Sequence, residues 1–153
     1  MTLRKPKLRR PDLRRPESVL VVIYTPDEIL LLKRNADFEF WQSVTGSLEA
    51  GETPDDAASR ELFEETGIAE VELINCDHSA EFEISPRWRD RYPPGVTVNR
   101  EHVFLCPLPA RTQVTLSPEE HTDFIWLDYS QALQRATSFT NRAAIERFVT
   151  LDE

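Results

Sequence analysis

Three carboxylates in the stretch Arg60-Glu61-Leu62-Phe63-Glu64-Glu65 set the first question about this chain. On an α-helix each residue advances about 100°, so Glu61, Glu64 and Glu65 share an arc of about 100°. Like charges one turn apart repel and weaken a helix. A hard divalent cation removes that repulsion. Magnesium prefers oxygen ligands and keeps several waters, so clustered carboxylates and substrate phosphates together complete its shell. Ala57 and Ala58, one turn earlier, keep bulk off the same face, while Leu62 points toward a neighbouring layer.

The elements that must position these groups are legible around them. Thr53 is a cap, Pro54 suits the first helical position, and Asp55 and Asp56 favour the positive helix end. Gly67 supplies a left-handed stop, which predicts a helix over 54–66. Before it, "SVLVVIY" (18–24) and "ILLLKR" (29–34) read as a hairpin, and "FWQSVTG" (40–46) as a short strand leading into the helix. After it come a β-rich region at 71–84, an exposed loop at 85–100, and strands at 101–108 and 121–128. Two helices are expected near 129–136 and 140–150. Strands around one marked helix, with helical pieces at the end, predict an α/β sandwich with a mixed sheet.

Composition narrows the partners. At 153 residues the expectation is a single domain over 1–153, headed by a basic leader at 1–16. That leader holds seven Lys/Arg and one Asp, +6 in all, so the net charge of −9 leaves −15 on the remainder. An acidic body does not suit a duplex nucleic-acid binder, which must neutralise phosphates. It suits a small polyphosphate bound through divalent cations and a few basic side chains. No apolar run reaches the length of a membrane helix, and the leader lacks a signal-peptide core. Cys76 and Cys106 lack metal-type spacing and read as free thiols, in keeping with a cytoplasmic protein.

The carboxylates also sit in a longer pattern: Gly46, Glu52, Arg60-Glu61-Leu62, Glu64-Glu65 and Gly67-Ile68. Over residues 46–68 this resembles the Nudix box at every defined position. The resemblance implies an α/β/α sandwich with a loop–helix–loop motif, and a metal-dependent hydrolase of pyrophosphate bonds. It implies Glu61, Glu64 and Glu65 as magnesium ligands, with manganese as a substitute, and lets the Gly46 carbonyl approach the metal. Glu52 and Arg60 become a structural ion pair. Cations would neutralise the phosphate oxygens so that water can reach phosphorus, with a carboxylate accepting its proton. The box leaves that base open; Glu120, in "SPEEH" (117–121), is the expected extra ligand or base.

Outside the box, "EFEIS", "RYPPGVT" and "TNRAAIERFV" resemble a branch of the Nudix family that cleaves a pterin triphosphate to the monophosphate and pyrophosphate. A broad nucleoside triphosphate pyrophosphatase is the alternative, and a non-hydrolysing Nudix-fold sensor a more distant one. Arg34 is the leading phosphate-binding candidate, with Arg14 and Arg15 in the leader. Thr45 either donates to a phosphate or fills the sheet. Phe82 leads the ring-stacking candidates, and Glu83, Ile84 and Ser85 offer groups to the ring edge. Trp88 and Tyr92 lie on the long loop, whereas Trp41 is expected in the core. Ser138 is a substrate-binding candidate, and Asn141 is read as the cap of the last helix. His78, His102 and His121 have no partner at zinc-like spacing and receive no role.

Overall fold

The computed structural model describes residues 13–151; the leader up to residue 12 lies outside the described residues. Strand β1, Glu17–Tyr24, is central, and its register shapes the molecule. It meets β2 (Ile29–Arg34) at one register pair, Tyr24 with Ile29, through the tight turn between them. It then continues antiparallel to β4 (Val44–Ser47), from Val21 opposite Val44 to Ser18 opposite Ser47. The sheet therefore splits beside β1. On its other edge β1 runs parallel to β6 (Val98–Pro107), which pairs antiparallel with β5 (Ile74–Glu83). On the far side, β2 pairs with the short β3 (Trp41–Gln42) and with β7 (His121–Leu127).

Helices cover both faces, and strand parity decides which residues meet them. Val19, Val21 and Ile23 of β1 pack with Ala57, Ala58 and Leu62 of α1, Pro54–Thr66. Leu20 and Val22 face Ala132 of α2 (Tyr129–Arg135) and Ala144 and Ile145 of α3 (Phe139–Phe148). The result is an α/β/α sandwich around a mixed sheet. Among the described residues no helix is long and apolar enough to cross a membrane.

The ends of α1 follow the expected residues. The Thr53 hydroxyl accepts from the Asp56 amide and the Asp56 carboxylate accepts from the Thr53 amide, while Gly67 takes φ +77°. α3 differs. Ser138 is its cap, its hydroxyl accepting from the Asn141 amide at 3.1 Å. Asn141 is the third residue of the helix. Its side chain accepts from the Ser43 amide at 2.7 Å and donates to the Ser43 hydroxyl at 3.0 Å. It ties α3 to the sheet instead of capping it. The segment expected as a loop over 85–100 contains a 3₁₀ turn at Arg89–Arg91 and gives its last residues to β6. Both thiols are free; Cys106 is buried, which pushes its pKa up to about 11, and Cys76 is half-buried.

Candidate active site

Burial of Ala57 and Ala58 presses the carboxylate face of α1 against β4. Glu61 and Glu65 are almost wholly buried, while the Glu64 side chain keeps about a third of its exposure. Gly46 makes this fit. A Cβ there would fall 2.1 Å from the Glu61 carboxyl carbon, so no side chain is admitted at that point of β4.

Arg60 organises the carboxylates. Its guanidinium donates to Glu52 at 2.7 Å, to Glu61 at 2.6 Å, to Glu64 at 2.8 Å and to the Ser47 carbonyl at 3.0 Å. The Glu52 carboxylate also accepts from the Glu49 amide, closing the loop between β4 and α1. The Arg60 hydrogen bonds hold Glu52 below the usual carboxylate range, and Glu52 in turn leads the groups that raise the Arg60 pKa. Lysine cannot replace this planar fork of donors. Arg60→Lys is therefore expected to cost about 1–3 kcal/mol, because charges built around one half-buried partner, two of them on buried or nearly buried carboxylates, lose it. Urea unfolding of the variant measures that loss; an unchanged midpoint would show that the network contributes nothing to stability.

Glu65 looks across to the start of β7. One ligand atom from each of Glu65, Glu120 and His121 lies within 4.8 Å of the others. His121 Nδ1 sits 3.8 Å from the Glu65 carboxylate, and its Nε2 lies 3.1 Å from the Gln42 side-chain nitrogen. With that amide nitrogen donating to Nε2, the ring proton occupies Nδ1 and faces Glu65. The turn carrying Glu120 is held in place by Asn35. The Asn35 amide donates to the Glu120 carbonyl at 2.8 Å, and its side chain to the Pro118 and Glu119 carbonyls. A register shift between Lys33 and Arg34 brings Arg34 opposite His121.

Arg34, Asn35, Gln42, Glu120 and His121 border a pocket of about 330 Å³, whereas Glu61, Glu64 and Glu65 do not line it. Arg14, Arg34, Thr45, Gly46, Phe82, Glu83, Ile84, Ser85, Glu120 and Ser138 all line it, as do Trp88, Tyr92 and Asn141. Arg15 does not: it binds the Glu49 carbonyl and Glu17. Trp41 is in the core, as expected. Arg34 lies over the Trp88 ring at 4.3 Å, and Arg91 over the same ring at 4.8 Å. Burial, then repulsion from Arg91 and Arg14, lowers the Arg34 pKa to about 10. Arginines crowded into a half-buried pocket are the arrangement that an anion would relieve.

Sequence reasoning missed Arg91, His121, Asn99 and Glu101, all of which line the pocket. His121 leaves no signal along the chain, because Glu65 is far from it in sequence and meets it only in the fold. Asn99 and Glu101 carried a readable signal. They precede Val103 and Leu105 at a spacing of two, so polar residues continue the buried face of β6.

The NUDIX domain model matches residues 14–148. The chain belongs to the NUDIX family. Among its relatives, the dihydroneopterin triphosphate diphosphatase of Escherichia coli K12 is 46% identical over 138 residues, 86% of this chain and 91% of that protein. The Haemophilus influenzae protein of the same name is 43% identical, over 87% of each chain. The solved structure of the E. coli dihydroneopterin triphosphate pyrophosphohydrolase superposes with a TM-score of 0.84, covering 90% of this chain and 97% of that one. A Listeria monocytogenes Nudix hydrolase, 28% identical, covers 86% of this chain and 90% of its own with a TM-score of 0.73.

Proposed function

We propose that this Nudix protein hydrolyses dihydroneopterin triphosphate to dihydroneopterin monophosphate and pyrophosphate. The observation that carries the reading is one pocket that brings Arg14, Arg34 and Arg91 beside Glu120 and His121, which lie within 4.8 Å of Glu65 behind them. Cations to hold a polyphosphate and carboxylates to hold a metal thus border the same space. The pterin assignment draws on the relatives named for that substrate.

Nudix hydrolases use divalent metal, and the donor set here fits a hard cation: carboxylate oxygens, with a glycine where the strand must come close. Glu61, Glu64, Glu65 and Glu120, with the Gly46 carbonyl, would hold magnesium, for which manganese would substitute. When bound, the ion offsets phosphate charge and lowers the pKa of a coordinated water. The remaining work belongs to the chain. Arg14, Arg34 and Arg91 grip phosphate oxygens, and Thr45 donates to one. The oxygen of a water bonds to a phosphorus of the α–β bridge, the bridging P–O bond breaks, and pyrophosphate leaves. The water's proton passes to the Glu120 carboxylate, held in place by the Asn35 contacts. Phe82, with Trp88 and Tyr92 on the neighbouring loop, borders the ring; Ser138 caps α3 at the pocket wall.

A panel of dihydroneopterin triphosphate and the common (deoxy)nucleoside triphosphates, assayed with magnesium, tests the reading. Dihydroneopterin triphosphate is expected to have the highest kcat/KM and to release pyrophosphate. If every nucleotide were cleaved more efficiently, or orthophosphate were the product, the assignment would be wrong.

A further inference from the structure

The face of β6 that meets α3 carries an acceptor group that phosphate chemistry does not use. Asn99 is 1% exposed and Glu101 6% exposed, and both line the pocket. Two residues apart on one strand, they point to the same side, about 7 Å from each other along it. The Asn99 amide nitrogen donates to the Ser18 hydroxyl at 2.8 Å, and Ser18 is the register partner of Glu101 on β1. That bond engages the amide nitrogen and leaves the oxygen as the remaining polar atom of the side chain. Among the described residues the oxygen has no hydrogen-bond partner. Phe82 is the register partner of Asn99 on β5, so it shares this face and also borders the pocket. An aromatic surface thus lies beside three acceptor oxygens, two from a carboxylate and one from an amide.

The Asn99 oxygen is thus a buried acceptor without a donor among the described residues. Glu101 takes a hydrogen bond from the Thr140 side chain that leaves acceptor capacity on its two oxygens. A ligand that supplies donors recovers the cost of burying such acceptors. We infer that Glu101 and Asn99 recognise the 2-amino-4-oxopyrimidine edge of the substrate ring. That edge presents three hydrogens in one plane, one on the ring nitrogen and two on the exocyclic amine. The Glu101 carboxylate accepts the ring N–H and one amine hydrogen, and Asn99 Oδ1 accepts the other. Adenine and cytosine place an acceptor nitrogen where the ring N–H is needed, so they leave the carboxylate facing a lone pair. Burial moves the Glu101 carboxyl up to about 7 despite the opposing hydrogen bond from Thr140, so further donors aimed at it have a large effect on its charge. Pterin and guanine share this edge. The inference deepens the proposed function and takes its pterin from there, but the edge chemistry stands separately.

Calorimetry without added metal, using two probe pairs, separates the two claims. Neopterin is compared with its 2-oxo analogue, and GMP with IMP, on the wild-type protein and on Glu101→Gln. Loss of the 2-amino group is expected to weaken wild-type binding about 10- to 100-fold in each pair. In Glu101→Gln each ratio is expected to fall several-fold, because a glutamine has one acceptor oxygen in place of two and only the Asn99 contact to the amine is kept. Wild-type ratios near one overturn the inference without any variant. So do ratios that persist in Glu101→Gln, and so does failure of both amino-bearing rings to bind at millimolar concentration. If GMP binds more tightly than neopterin while both ratios behave as expected, the edge is supported and the pterin reading of the previous section fails.

Discussion

Glu65→Gln is expected to lower kcat by about 100- to 10,000-fold while the protein melts at the same temperature or higher. The substitution keeps the shape of the side chain and removes its charge. Glu65 is fully buried, with Glu120 and His121 in the same 4.8 Å group. Holding carboxylates together in a buried site opposes folding, so a neutral isostere does not destabilise the free protein. A site built for function at the expense of stability behaves in this way. Steady-state kinetics with magnesium and a thermal melt in its absence measure the two effects. A variant with wild-type kcat would remove Glu65 from the metal site. A melt lowered by many degrees would make it a structural residue instead.

Gly46→Ala is expected to cost about 100-fold in kcat/KM with only about 1–3 kcal/mol of stability. The new methyl would fall within 2.1 Å of the Glu61 carboxyl carbon. The atom it meets is the end of a long side chain, so the carboxylate can swing aside more cheaply than the strand can move. Misplacing a reacting group by about an ångström is enough for a loss of this size. Arg60 holds one Glu61 oxygen at 2.6 Å, and that contact would lengthen as well. Kinetics and urea unfolding on one preparation decide between the two costs. Near-normal activity would mean that neither the position of Glu61 nor a bare strand at Gly46 matters to the reaction.

The parts of this molecule that could be read from the sequence are those whose causes are local. Helix α1 begins and ends where Thr53 and Gly67 require, because a capping box and a left-handed glycine act within a few residues. The carboxylate face of α1 follows from helical periodicity alone. Glu120 was reachable because an acidic pair in a turn before a strand is visible without the fold. The rest depends on register. His121 meets Glu65 only because β7 pairs with β2 and α1 lies over β4. Asn99 lies in a Pro- and Arg-rich stretch that reads as a loop, and its pairing with Phe82 belongs to the tertiary structure. Arg91 sits on a turn that looks like any charged loop until Trp88 is seen beneath it. Asn141 looked like a cap by position, but Ser138 reaches the free amide and leaves Asn141 to hold Ser43.

The alternation along β1 has a consequence for how such a chain can change over time. Val19, Val21 and Ile23 serve the side that carries α1, whereas Leu20 and Val22 serve the side that carries α2 and α3. The residues proposed to contact the ring come from β5, β6 and the α3 layer, and the proposed metal-binding carboxylates come from α1 and the turn before β7. A substitution under one layer repacks that side of the sheet, and the two sets meet only at the pocket. Ring preference and bond-breaking machinery can then drift separately, and a lineage can acquire a new substrate while its hydrolytic helix stays as it was.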